Sequence, residues 1–118
     1  MSKKKKTTCW TSKKADTEFS KFIRERDKRC FFCPNPATQC SHYWGRNISA
    51  TRYNDKNADG ICGGCHMRHE GNKQGLYRDL KIKQLGQKGY DELRKLAFQS
   101  RMNRREAILG LMKLLGVE

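Results

Sequence analysis

Two Cys-x-x-Cys pairs, Cys30/Cys33 and Cys62/Cys65, constrain this chain more than any other feature. Thiolates two residues apart can reach one ion from a tight turn, and two such knuckles complete a tetrahedral four-sulfur site. A chain of 118 residues with 36% hydrophobic content has little apolar surface to bury, so a staple of this kind is expected. Structural zinc binding contributes on the order of 10 kcal/mol to folding. Redox dithiols are the competing reading of the pairs. Cys9 and Cys40 stand alone, which argues against a disulfide framework, and no apolar leader-like segment follows the N-terminus. The expected compartment is therefore a reducing cytoplasm, where this spacing favours zinc over disulfides. A closed four-cysteine site has no open coordination position, so this zinc is expected to be structural and any chemistry must come from other residues.

The formal charge of +14 is carried by 26 Lys and Arg spread along the whole chain, which points to a polyanionic partner. An anionic membrane surface is the alternative. The lysines at 3–6 adjoin no amphipathic apolar face, however, and no stretch is long enough to span a bilayer, so nucleic acid is expected and a membrane is not. Residues 1–14 hold six lysines and no acid and are expected to form a disordered basic arm, interrupted by Cys9 and Trp10.

Periodicity organises the rest. Phe19, Phe22 and Ile23 follow i, i+3, i+4 spacing and predict a helix over about 16–29, capped by Asp16 or Thr17. The stretch after Cys30 lacks a helical period, contains Pro34 and Pro36, and predicts strands at about 38–44 and 49–53 after a zinc knuckle. After Cys65 a helix is expected to run on with Leu76, Tyr77 and Leu80 on one face, interrupted near Gly71 and Gly75 and stopping at Gly86. Two further helices follow. Tyr90, Leu93 and Ala97 mark one; Ile108, Leu111, Met112 and Leu115 mark the other, between an Asn103 cap and Gly116. The apolar stripe of that last helix could serve the monomer's own core, a homodimer or an adaptor surface.

The three histidines, His42, His66 and His69, all fall within or just beyond the zinc-organised region. His42 lies on the first expected strand, and His66 directly follows the last zinc cysteine with His69 three residues on, so two imidazoles can share one divalent ion on a helix face. Strand histidine, Asn57 in the connecting segment and helix histidine is the order of groups in an HNH nuclease. His42 is then the candidate general base, and the ion on the helix would polarise the scissile phosphate. The plainer readings are surface or zinc-supporting histidines, and a turn residue for Asn57 beside Asn54, Asp55 and Asp59.

The span 30–86, about half of the chain, resembles the NinG (Rap) recombination-endonuclease family of lambda-like phages. The matching pieces are Ser-His-Tyr at 41–43, Arg-Tyr-Asn-Asp-Lys-Asn at 52–57, the Cys62/Cys65 knuckle, Gly71-Asn72 and the segment 77–86. It is also similar to the phage endonuclease VII family, in which two knuckles bracket a histidine hairpin. The resemblance implies His42 as base, His66 as metal ligand, magnesium or manganese as the catalytic ion, branched or single-stranded regions of recombining DNA as substrate, and a host-cell cytoplasm as location. Many HNH enzymes place an acidic ligand directly before the base histidine, where this chain has Ser41. Cys40 is read as a small buried hydrophobe before a ligand.

The expectation is thus a small α+β fold: a zinc-bound ββα-metal (His-Me finger) core with added N- and C-terminal helices. Its parts are the arm 1–14, a nuclease core with leading helix at 15–86, and a helical extension at 87–118. The expected function is metal-dependent hydrolysis of DNA phosphodiesters, against the alternative of a non-catalytic zinc DNA-binding module.

Overall fold

A computed structural model describes residues 8–69 and 75–117. Helix α1 (Ser12–Asp27) starts one turn earlier than its apolar spacing suggests, because the Thr11 side chain accepts from the Lys14 amide and caps it there. It takes residues 12–14 out of the stretch expected as an arm, and Trp10 packs beside it against the core. Residues 1–7 lie outside the described residues.

The chain then turns through the first knuckle into β1 (Gln39–His42), which pairs antiparallel with β2 (Ala58–Ile61) in the register Gln39 to Ile61, Cys40 to Gly60, Ser41 to Asp59 and His42 to Ala58. The second expected strand is corrected here. Residues 49–52 form the short helix α2 (Ser49–Arg52), followed by a 3-10 turn at Asp55–Asn57, and the strand lies in the Ala-Asp-Gly-Ile run instead. Tertiary pairing outweighs local propensity there. All four β2 residues are buried, so its polar Asp59 and Gly60 answer to neighbours on both faces.

Those faces differ. Cys40 and Ala58 join the cluster of Phe19 and Ile23 on α1, and the His42 ring lies 5.6 Å from that of Phe19. Gly60 belongs to the same face. A Cβ there would sit 2.8 Å from Ala37 and 3.1 Å from Asp27, whose carboxylate accepts from the Gly60 amide at 2.7 Å. The opposite face, bearing Gln39, Ser41, Asp59 and Ile61, meets α3 (Gly63–His69) and α4 (Leu76–Gln99).

Two prolongations complete the fold. Helix α4 is two helices joined across Gly86, whose φ of 76° is open to glycine but costly to other residues; this is where the sequence suggested a stop. Tyr77, Tyr90, Leu93 and Ala97 are buried, whereas Leu76 is exposed; the interruption expected at Gly71 lies outside the described residues. Helix α5 (Arg104–Leu114) is capped by Asn103, whose side chain accepts from the Glu106 amide, and lays Ile108, Leu111 and Met112 onto Phe19, Ile23 and Tyr53. The stripe therefore serves the chain's own core. Among the described residues the result is a small α+β fold of five α-helices and a two-stranded sheet.

Candidate metal centre and active site

The two knuckles bring the sulfurs of Cys30, Cys33, Cys62 and Cys65 within 4.8 Å of one another. Zinc–sulfur bonds of about 2.3 Å in a tetrahedron need sulfurs about 3.8 Å apart, and Cys33 and Cys62 are 3.7 Å apart. Local donors suit thiolates: the Phe32 amide donates to Cys30 and an Arg68 guanidinium nitrogen lies 3.3 Å from the Cys65 sulfur. A backbone hydrogen bond from Cys65 draws the Cys62 thiol down to about 6. The donor set fits a structural zinc, and Ile61 packs beside it to continue this small cluster into the sheet.

His42 ends β1 on the α1 face. Burial, reinforced by the Arg46 charge, lowers its pKa to about 4, against a raising hydrogen bond to the Arg52 backbone. Nε2 is buried and has no hydrogen-bond partner among the described residues, so Nδ1 is the atom that donates to Arg52. That bond fixes the tautomer with Nε2 unprotonated, the protonation pattern a general base needs, while the packing around it keeps that nitrogen out of contact with solvent.

Arg52 is itself held. Its guanidinium donates to both Asp16 oxygens, at 3.1 and 2.7 Å, and Tyr53 donates to the same carboxylate at 2.8 Å. Burial would raise the Asp16 pKa, but the hydrogen bonds from Arg52 and Tyr53 outweigh it and keep the carboxyl below its ordinary value. Asn57 clamps the loop from beneath. Its carbonyl accepts from the Trp44 amide at 2.9 Å, and its NH2 donates to the carbonyls of Trp44 at 2.9 Å and Thr51 at 3.0 Å. Fully buried, Asn57 acts on the shape of the loop and not on a substrate.

His66 and His69 share α3. His66 Nδ1 lies 2.6 Å from the Gln39 carboxamide oxygen, and the His69 ring stacks on Phe32 at 4.1 Å and 16°. The pleat of β1 turns Gln39 toward α3 and His42 toward α1, so the hairpin lies between the base candidate and the helix histidines. Among the described residues no third His, Cys, Asp or Glu joins His66 and His69 in a ligand cluster; the four cysteines form the group of that kind.

No protein-family model, curated protein or solved structure matched the chain. The functional reading therefore stands on its own residues.

Beneath Ser41 lies a polar network that spacing and motif reasoning do not single out. Asp59 and Lys81 are both fully buried and 2.9 Å apart. Tyr77 donates to Asp59 at 2.8 Å and lies 3.2 Å from the Ser41 hydroxyl, and Gln84 accepts from Lys81 at 2.9 Å. Burial lowers the Lys81 pKa against the pull of Asp59. By local sequence Asp59 reads as a turn residue beside Asn54 and Asp55. Register pairs Asp59 with Ser41, and its partners Tyr77 and Lys81 come from α4, so no local sequence signal marks it.

Proposed function

We propose that the chain is a zinc-stapled, divalent-ion-dependent DNA endonuclease of the HNH type, with β1, β2 and α3 as its ββα-metal core. The observation that carries this reading is the state of His42: neutral, one ring nitrogen tied to the Arg52 backbone, the other unpartnered, in a loop clamped by Asn57. An unpartnered ring nitrogen is a cost in a purely structural core, and its unprotonated lone pair is what proton abstraction from a water admitted with the substrate would use. The order His42, Asn57, His66 and the resemblance to NinG-type and endonuclease VII-type families point the same way, and the charge of +14 suits a DNA substrate.

In this reading Nε2 of His42 takes the proton of the attacking water, and Asp16, Arg52 and Asn57 hold the ring and its loop in position. His66 and His69 would hold magnesium or manganese, the remaining positions falling to water and phosphate oxygens. When bound, such an ion supplies Lewis-acid polarisation of the scissile phosphate and stabilises the leaving oxygen. Imidazole ligands favour manganese over magnesium. Branched or single-stranded regions are the proposed substrate.

The second reading, a non-catalytic zinc DNA-binding module, is favoured by the burial of Nε2 and by the separation of His42 from His66 across the hairpin. Zinc-loaded protein assayed on junction, flap, single-stranded and linear DNA, with manganese and without added divalent ion, separates the two. Manganese-dependent product supports the nuclease. Tight binding with no product from any form supports the module.

A further inference from the structure

Near the end of α4, Phe98 is 60% exposed, although it sits edge to face with Trp44 at 4.9 Å. Arg94 lies four residues before it and Lys95 three, so helical spacing sets both cations on the same face. Together with Asp91 and Gln99 they line a surface groove of about 510 Å3. The acid is engaged, accepting from Gln87 at 3.0 Å, and two cations outnumber it. An exposed aromatic ring rimmed by cations suits a ligand that is flat on one side and anionic on the other.

We infer that Phe98, backed by Trp44 and flanked by Arg94 and Lys95, is a stacking site for an unpaired base of DNA. Bases within a duplex have their faces covered by neighbours, so a ring of this kind selects single-stranded or splayed nucleotides, while the cations meet the phosphates. The site connects to the candidate active site through the backbone. Asn57 holds both the amide and the carbonyl of Trp44, two residues beyond His42, so the ring that supports Phe98 rides on the loop that carries the base candidate. This inference rests on the DNA-binding reading and narrows its substrate to DNA with unpaired nucleotides.

The test reads binding, not cleavage. Replacing Trp10 by Phe leaves Trp44 as the chain's remaining tryptophan. Zinc-loaded Trp10→Phe protein is titrated, without added magnesium or manganese, with a short oligothymidylate and with a blunt hairpin duplex, following Trp44 fluorescence and affinity. Oligothymidylate should quench Trp44. Phe98→Ala and Phe98→Leu should each weaken oligothymidylate binding by about 5- to 100-fold, the range expected for one stacked base, and Phe98→Tyr should restore it. Duplex affinity should change by less than about twofold, because phosphate contacts dominate it. Phe98→Leu keeps an apolar side chain against Trp44 but has no π face, so its loss cannot be assigned to misfolding. Unchanged oligothymidylate affinity in Phe98→Leu, or an equal loss on the duplex, would overturn the inference. A protein that never cuts DNA could still pass this test, and an active nuclease could fail it, so the two readings stand or fall separately.

Discussion

His42 shows how one residue's environment decides what it can do. The contacts that lower its pKa to about 4 also keep it unprotonated across the neutral range. If it is the base, kcat/KM reports the free protein's ionisation, so the rate should be flat from about pH 5.5 to 7.5 and fall only near pH 4. A limb near pH 6.5 in wild type would show that the ring titrates as an ordinary solvated imidazole. Stability should follow the same ionisation. The folded pKa is depressed below the unfolded value of about 6.5, so the unfolded chain binds more protons between pH 6.5 and 4, and stability is lost as pH falls through that window. The loss attributable to His42 is up to about 3 kcal/mol. Denaturant titrations of wild type and His42→Ala across the window should converge toward acid, the difference isolating the imidazole from the carboxylates and thiolates that also titrate. Parallel curves would contradict the assignment.

At the level of elements, two polar devices fasten the hairpin. Asn57 closes the loop from residue 44 to 51, and Asn57→Ala would leave the Trp44 amide and two carbonyls without their partner, costing about 3 kcal/mol or more at roughly 1–3 kcal/mol per group. The Asp59–Lys81 pair joins β2 to α4 with both side chains fully buried. Lys81→Met should cost about 3–5 kcal/mol because it strands a buried carboxylate, whereas Lys81→Met combined with Asp59→Leu should cost less than the sum of the single changes. Additive losses in urea melts would show that the pair is not coupled. Much of this level was legible beforehand. The stripes of α1 and α5, the Asn103 cap and the first strand follow from spacing and capping chemistry. The second strand did not, because Ser49, Ala50, Thr51 and Arg52 carry no strong helical signal and Asp59-Gly60 reads as a turn when its partners are unknown. Asp59 becomes a strand residue only once Lys81 and Tyr77, some twenty residues on, reach it. Those contacts have no trace in local pattern.

For the whole molecule, the four cysteines join the first turn, the sheet and α3 into one body whose apolar core is divided into small clusters. Substituting Ser for any one of Cys30, Cys33, Cys62 or Cys65 should abolish zinc retention and the near-UV CD signal, since the metal contributes on the order of 10 kcal/mol. Cys9→Ser should retain both. A zinc-free but folded Cys62→Ser protein would contradict the staple. The four cysteines were legible from their spacing, and the three histidines from their order, but not the pleat that sets His42 and His66 on opposite faces of the hairpin. A one-residue difference in register would have put them together. The most direct test of the nuclease reading is therefore cleavage of junction, flap and single-stranded DNA by zinc-loaded wild type and His42→Ala with manganese, alongside their DNA affinities. Wild type should cut at least one of these forms, and His42→Ala, still folded, zinc-loaded and bound, should cut it roughly 100-fold more slowly or worse. A wild type that cuts none of them with any divalent ion, or a His42→Ala variant that cuts as fast, would contradict the nuclease reading.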